Sequence, residues 1–286
     1  VSLAHDGRNV NEFEGFNKSE NAQNPPHIAV STTAGTGSET SWAYVITDTT
    51  TDPKNPHKYV AFDDASVTTL AIDDPVLYYS CPVDYTAQCG FDVLAHASEP
   101  YVSRINFDPS LGNALHAIKL TNQNLREAVW NPQGYEGRFG MMNAQYIAAQ
   151  AFNSGGLGII HSISHAVSAF YDTHHGLNNA IALCNKILRQ SPARSAVYYK
   201  LGRISATKGF KSDARKNFLE YADRMQKAGQ REESFRALKE FAELCPDQDD
   251  IRLMLADMLS KDSRSSEAIE QLEQLYIKQK AEGREA

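Results

Sequence analysis

Four of the chain's nine histidines fall within residues 155–176, and their spacing limits how this region can fold. His161 and His165 are four residues apart, so a helix would place both rings on one face. His161 and His175 are fourteen residues apart, which is a rise of about 21 Å on a straight helix. Because one metal ion cannot span that distance, both can bind it only if the chain turns between them. We predict a helix over residues 157–170 and a turn over residues 171–173.

A second pair with helical spacing lies upstream. Asp92 and His96 are four residues apart, so we expect a carboxylate and an imidazole on one face of another helix. Together with His161 and His175 they form a set of three nitrogens and one oxygen, which suits Fe(II) or Zn(II) better than Ca(II) or Mg(II). The alternative is that these histidines only cap helices or satisfy contacts in the core.

The spacing of His161 and His165 is also that of a zinc protease motif, but the chemistry excludes this class. Such a protease carries a general-base glutamate directly after its first histidine. Ser162 stands at that position here. A hydroxyl cannot take the role of the carboxylate, so we reject the protease interpretation.

Four sequence motifs together resemble the group III, iron-containing alcohol dehydrogenases, and in particular the methanol and short-alcohol dehydrogenases of that family. They occur in the family's order and lie between about residue 3 and Leu183: STTAGTGSET at 31–40, FDVLAHASEPYVS at 91–103, AFNSGGLGIIHSISHAVSAFY at 151–171 and THHGLNNAIAL at 173–183. The resemblance implies that the family's metal ligands are Asp92, His96, His161 and His175. It also implies that His165 is the catalytic histidine on the cofactor side, which relays a proton or orients the nicotinamide.

The resemblance implies two cofactors, Fe(II) or Zn(II) and NAD or NADP, and a small primary alcohol or aldehyde as substrate. Residues 27–30 are a predicted strand that runs into a loop of small residues, a pattern that brings backbone N–H groups close to a phosphate or ribose. Alone, such a loop is more often only a turn. By family analogy, the residues that contact the cofactor are Thr32, Thr33, Gly35, Thr36 and Lys58.

The predicted fold is mainly α, with remnant β-strands of a Rossmann-like domain in residues 1–80, an all-α metal-binding domain in residues 84–183 and α-helical hairpin repeats in residues 184–286. We expect a hairpin from strands at 44–47 and 58–62, and a further strand at 67–72. The predicted domains are a partial nucleotide-binding region (1–80), a partial helical dehydrogenase domain (81–183) and the repeats (184–286).

After Leu183 the family pattern stops, and the rest of the chain resembles tetratricopeptide-type helical hairpins with a period near 34 residues. Such repeats present a surface to a protein partner. The alternative is a generic helical bundle. The residues that fit three successive units are Leu201, Gly202, Gly209, Ala214 and Phe218; Gly229, Leu238, Phe241 and Pro246; and Leu255, Ala256, Ala268 and Leu272.

The dehydrogenase segment lacks the Gly-Gly-Gly-Ser loop with which the family holds the cofactor pyrophosphate. This leads to the hypothesis that the chain is a dehydrogenase truncated at both ends and fused to helical repeats, whether natural or an assembly artefact. Cofactor affinity would then be weak or absent, and the strand at 27–30 would lack parallel neighbours.

Composition restricts the remaining function classes. The formal net charge of −7 argues against nucleic acid or an anionic membrane as partner. No apolar run reaches about 18 residues, and no secretory signal is recognisable at the N-terminus. The cysteines lack any C-x-x-C spacing, so we expect reduced thiols in a cytoplasmic protein. A homo-oligomer stays open. Three classes stay open: an alcohol dehydrogenase, a helical-repeat protein-binding scaffold with an inert dehydrogenase fragment, and a metal-binding protein without turnover.

Overall fold

The predicted mainly α fold with remnant strands is confirmed. The structure is a computed structural model that describes residues 7–19, 26–171 and 173–283. Its strands are β1 (Gly15–Phe16), β2 (Ile28–Val30), β3 (Ala43–Asp48), β4 (His57–Phe62) and β5 (Leu70–Ile72). Its α-helices are α1 (Val83–Val102), α2 (Asp108–Trp130), α3 (Tyr135–Gly155), α4 (Ile159–Tyr171), α5 (His175–Gln190), α6 (Ser195–Thr207), α7 (Lys211–Lys227), α8 (Arg231–Leu244), α9 (Asp249–Lys261) and α10 (Ser265–Ala281).

The strands form two small sheets. β3 and β4 pair in antiparallel register from Ala43 opposite Phe62 to Asp48 opposite His57, which confirms the predicted hairpin with its long loop. β1 lies parallel to β4 on the other side, so the strand order is β1-β4-β3. All the strands precede the first α-helix in the described sequence.

The second sheet corrects one expectation. β2 was predicted to lack a parallel neighbour, and this is wrong, because β2 pairs in parallel with β5 from Ile28 opposite Leu70 to Val30 opposite Ile72. β5 is also shorter than the predicted strand at 67–72. Asp63 accepts the backbone N–H of Ala65 and caps a 3-10 turn at Asp64–Ser66, which delays the start of the strand.

Two compact units divide the chain, Val1–Leu183 and Cys184–Ala286, and the division falls inside α5. The core of the first unit lies between α1, α2 and α3, and it is built from small side chains. Ala117, Ala128, Ala144 and Ala148 are all fully buried. Small residues at these positions let the backbones of the three helices approach closely.

The helices of the second unit follow one another with short connections of three or four residues. Gly209 and Gly229 end two of these helices with φ of 78° and 74°, a left-handed conformation that favours glycine. The core between α7 and α8 includes a stacked pair, Phe218 and Phe241, whose ring centroids are 5.1 Å apart. Among the described residues, no helix is both long and apolar enough to cross a membrane.

Gly176 lets α5 approach α1 closely. This contact brings His175, the first residue of α5, toward the buried face of α1. Gly176 follows His175, and a Cβ atom added at Gly176 would lie 2.0 Å from the backbone oxygen of Gln88. Because that neighbour is backbone, it cannot rotate away. A larger residue must therefore push the two helices apart.

We predict that Gly176→Ala destabilises the protein by about 1–3 kcal/mol, the usual range for overpacking a tight contact. Gly112→Ala is the matched control, because Gly112 also lies in a helix but a Cβ there has open space. The control should stabilise the protein by up to about 1 kcal/mol. Denaturant unfolding measures both values, and equal stabilities for the two variants would contradict the proposed close contact.

Candidate metal centre

Three histidine rings surround one carboxylate oxygen in the first unit. The Nε2 atom of His161 lies 3.4 Å from Asp92 Oδ1. The Nε2 atoms of His96 and His175 each lie 3.7 Å from the same oxygen. The structure thus brings together the four residues that the spacing and the family resemblance singled out. They come from three helices: α1 supplies Asp92 and His96, α4 supplies His161, and α5 supplies His175.

The geometry of this cluster fits a bound metal ion. Two ligands of a tetrahedral ion with bonds near 2.1 Å are about 3.4 Å apart, which matches the spacing from Asp92 Oδ1 to the histidine nitrogens. The 3.7 Å distances of His96 and His175 are too long for hydrogen bonds, so direct pairing does not explain them. Ligand atoms of Asp92, His96 and His161 all lie within 4.8 Å of one another. The donor set is therefore suited to a transition metal.

Burial gives the cluster a closed side and an open side. Asp92, His96 and His161 have side chains that are 5%, 8% and 4% exposed, whereas that of His175 is 21% exposed. His175 is therefore the residue of the cluster that lies nearest to solvent. The break in the helix that frees His175 is also present, since α4 ends at Tyr171 and α5 begins at His175. The predicted turn includes Asp172, which lies outside the described residues.

The second ring nitrogen of two histidines is held by an acceptor. His161 Nδ1 lies 2.6 Å from Glu99 Oε2, and His96 Nδ1 lies 3.2 Å from the backbone oxygen of Gly35. A carboxylate and a carbonyl can only accept, so whenever either ring is neutral its one proton sits on Nδ1. Each Nε2 then presents its lone pair to the cluster, the arrangement common around metal-binding histidines. His175 differs, because its Nδ1 is buried without a hydrogen-bond partner.

An amide orients the carboxylate at the centre. Asn179 Nδ2 donates to Asp92 Oδ1 over 2.6 Å, and the hydroxyl of Ser164 donates to Asn179 Oδ1. An ionised carboxylate can only accept, so the amide nitrogen must face Asp92, which leaves the amide oxygen to accept from Ser164. Asn179 is fully buried, so this link between α5 and α1 is shielded from water.

The protonation states follow from burial and from the two carboxylates. Burial lowers the pKa of His96 to about 4 and that of His175 to about 3. Burial also disfavours charge on His161, but hydrogen bonds to Asp92 and Glu99 outweigh it and raise its pKa to about 9. Burial opposes ionisation of Asp92 too, yet the neighbouring imidazoles hold the pKa of its carboxyl well below the usual range. At neutral pH, His161 is therefore the imidazolium of the cluster.

His165 lies beside the cluster rather than in it. Its ring centroid is 4.7 Å from that of His175 and 6.3 Å from that of His161. Burial lowers the pKa of His165 to about 4, so the ring is neutral at pH 7. One turn further along α4, Ser168 Oγ accepts a hydrogen bond of 2.9 Å from Lys58 Nζ. Lys58 thus lies on the same helix face as His165.

The small-residue loop after β2 is placed against α1. Gly35 is buried, and a Cβ there would lie 2.8 Å from Cys89 Cβ. Its N–H donates to Gln145 Oε1 over 2.8 Å, so this N–H is already engaged. Thr32 and Thr36 are exposed and Thr33 is half-buried, so their side chains are not part of the histidine cluster.

Sequence reasoning missed two residues that contact the cluster, Glu99 and Asn179. Both carried a usable signal, because Glu99 is three residues after His96 and Asn179 is four residues after His175. On a helix those spacings put each of them on the same face as the histidine. The polar face of α1 is therefore longer than the Asp92–His96 pair alone suggested.

Two family models and several known proteins match the sequence of this chain. The model of the Fe-containing alcohol dehydrogenase family, C-terminal, matches residues 86–279, and the model of iron-containing alcohol dehydrogenase matches residues 1–75. A methanol:N,N-dimethyl-4-nitrosoaniline oxidoreductase from Amycolatopsis methanolica is 88% identical over 183 residues, which is 64% of this chain and 43% of that protein. An NAD-dependent methanol dehydrogenase from Bacillus methanolicus is 41% identical over 63% of this chain and 46% of its own length.

A solved structure shares the fold over most of the chain. The alcohol dehydrogenase from Oenococcus oeni superposes with a TM-score of 0.61 and 28% identity, covering 92% of this chain and 66% of that one. The chain spans less than half the length of the two curated relatives named above. Because the C-terminal family model alone covers more than half of the residues, the chain belongs to the iron-containing alcohol dehydrogenase family.

Proposed function

We propose that this site oxidises a small primary alcohol to an aldehyde, with Fe(II) or Zn(II) and with NAD or NADP. The observation that carries the proposal is the convergence of three histidine Nε2 atoms on Asp92 Oδ1. Support comes from the names of similar proteins, a methanol oxidoreductase at 88% identity and an NAD-dependent methanol dehydrogenase at 41%. Within the first unit, we propose a partial nucleotide-binding region at 1–80 and a helical metal-binding region at 81–183.

Asp92, His96, His161 and His175 would hold the metal in this proposal. When bound, the metal supplies a Lewis acid for the alcohol oxygen and the nicotinamide supplies a hydride acceptor. The surrounding helices exclude water, which strengthens electrostatic interactions inside the site. The exposed side of His175 provides the path for the alcohol.

His165 is the proposed catalytic residue because its neutral ring lies next to His175, at the open side of the cluster. A neutral imidazole can accept the proton that the alcohol loses, or hold the nicotinamide in place. Lys58 and the loop residues Thr32, Thr33, Gly35 and Thr36 are the proposed cofactor contacts. Of these, Lys58 has a direct link to the helix of His165 through Ser168.

We predict that the wild-type chain binds about one Zn²⁺ or Fe²⁺ and that Asp92→Asn abolishes this binding. The amide cannot supply the buried negative charge, so the loss should exceed the 10–100-fold typical of removing an outer partner. His116→Ala is the matched control, because His116 is exposed on α2 and away from the cluster. Metal analysis after gel filtration and alcohol-dependent NAD(P)H absorbance are the two measurements.

The two measurements separate the candidate functions. Metal binding with turnover supports the dehydrogenase, and metal binding without turnover in the wild type indicates a metal-binding protein instead. A wild-type chain that retains no metal, or an Asp92→Asn variant that binds like wild type, would contradict the proposed site.

We further predict that the affinity for Zn²⁺ rises about tenfold per pH unit between about pH 6.5 and pH 8.5. The ion must displace the proton on His161, whose pKa is about 9, so this competition weakens as pH rises. His96 and His175 are already neutral in this range and add no pH dependence. Calorimetric titration in two buffers of different ionisation enthalpy should count about one proton released per ion. An affinity for Zn²⁺ that does not change with pH would contradict the proposed competition with the proton on His161.

For the second unit, we propose tetratricopeptide-like helical hairpins, fused to the dehydrogenase segment, that bind a protein partner. Its short connections, its two turn glycines and its own aromatic core support this interpretation. In contrast, the C-terminal family model reaches residue 279, which favours the family's own helical domain.

We predict that residues 184–286 alone give a helical circular dichroism spectrum and one cooperative thermal transition, as expected for a self-contained repeat unit. Phe218→Ala should destabilise this fragment by about 3–5 kcal/mol, because Phe218 is fully buried. The matched control is Leu253→Ala, at a position that is 49% exposed, which should change stability by less than about 1 kcal/mol. A fragment that is unfolded by itself would favour the family's helical domain. A folded fragment can then be used in pull-down experiments.

A further inference from the structure

Glu99 is the buried carboxylate that joins two of the helices carrying the metal-site histidines. It lies on α1, one turn beyond His96, and is only 5% exposed. Its Oε2 accepts from His161 Nδ1 over 2.6 Å and from the N–H of Gly158 over 2.9 Å. Its Oε1 accepts from the N–H of Ile160 over 2.7 Å. All three donors lie at the beginning of α4 or just before it.

These bonds fix both the backbone and the ring of His161. The N–H groups at the start of a helix have no partner within the helix, and a negative side chain there stabilises the helix end. Glu99 supplies that partner from another helix, so the first turn of α4 is tied to α1. The ring bond then sets the rotation of the imidazole. His161 is therefore positioned against Asp92 and His96 by a residue from their own helix.

The same bond selects the tautomer that a metal ligand needs. An ionised carboxylate can only accept, so Nδ1 must donate and the lone pair of the neutral ring sits on Nε2. Nε2 is the atom that faces Asp92 Oδ1 at 3.4 Å. If Nδ1 instead accepted a hydrogen bond, the proton would move to Nε2 and point into the cluster. Such a ring could not bind a cation.

We propose that Glu99 is a positioning residue for the metal: it holds His161 in the rotamer and tautomer that present the Nε2 lone pair. The inference rests on the proposed function, because it concerns the same site. Positioning of His161 is a role that a residue acting only as a helix cap would not have. A cap affects only the stability of α4, whereas this role determines the affinity of the cluster for a metal ion.

Glu99→Gln is the sharpest variant, because it keeps the size of the side chain. The amide oxygen can still accept one backbone N–H, but the amide nitrogen can only donate. Placed against His161, that nitrogen favours Nδ1 as an acceptor and hence the wrong tautomer. Glu99→Asp keeps the charge but is one carbon shorter, so it should retain part of the effect.

Asp63→Asn is the matched control for the loss of a buried carboxylate. Asp63 is 6% exposed and accepts two backbone N–H groups, those of Ser19 and Ala65, each over 3.0 Å. Glu99 likewise accepts two backbone N–H groups, but it alone also contacts a histidine. The control therefore reports the effect of losing backbone caps without disturbing the cluster.

The experiment measures Zn²⁺ affinity by competition with a chelator in the full chain. We expect Glu99→Gln to weaken binding about 10–100-fold, Glu99→Asp to weaken it less, and Asp63→Asn to leave it within about twofold of wild type. Thermal unfolding without metal should show a loss of stability for both Glu99→Gln and Asp63→Asn. Nitrogen-15 NMR of the zinc-loaded wild type should show His161 protonated at Nδ1.

Each outcome bears on the inference. Zn²⁺ affinity of Glu99→Gln equal to wild type, or a fall equal to that of Asp63→Asn, would overturn the positioning role while leaving the proposed function intact. Wild-type protein that binds Zn²⁺ tightly but never oxidises an alcohol would overturn the proposed function, and the comparison of affinities would still decide the role of Glu99. Absence of Zn²⁺ binding in the wild type would overturn both.

Discussion

A buried negative charge at Asp92 is the constraint on which the first unit depends. Its carboxylate lies under α4 and α5 with little access to water, and an isolated charge in such a place would be strongly destabilising. The structure compensates it with the imidazolium of His161 and the amide N–H of Asn179, both directed at the same carboxylate oxygen. Because Glu99 places a second carboxylate on the far side of His161, the cluster favours a positive charge at its centre. A proton on His161 or a metal ion can supply that charge.

The convergence of three helices follows from contacts that are individually ordinary. Alanines between α1, α2 and α3 hold α1 in a close-packed core, so Asp92, His96 and Glu99 share a rigid support. Gly176 lets α5 approach the backbone of α1, and Glu99 ties the beginning of α4 to the same helix. The cluster is thus built around α1, with one residue of each neighbouring helix brought to it. A site held by well-packed helices keeps its geometry better than one held by loops.

The second unit has its own physical basis. Its helices bury apolar faces against their neighbours along the chain, as Phe218 and Phe241 do between α7 and α8. Ion pairs join the first turn of α8 to the connection between α9 and α10: Glu232 pairs with Arg264, and Arg231 pairs with Asp262. These surface pairs contribute little individually, so the apolar contacts carry most of its stability. Packing of this kind is common to many helical domains, and the C-terminal family model extends through these helices to residue 279.

The sequence alone determined the mainly α fold, the β3–β4 hairpin and the family, because these follow from local periodicity and from motifs several residues long. The spacing of Asp92 with His96 and of His161 with His175 also indicated a ligand set and a turn. Only the tertiary structure decided the tautomers of His161 and His96, since the acceptors that fix them, Glu99 and the backbone oxygen of Gly35, come from other segments. The pairing of β2 with β5 likewise could not be predicted from the sequence, because a parallel partner 42 residues away leaves no local pattern. Local spacing specifies which side chains share a helix face, whereas long-range packing specifies what that face meets.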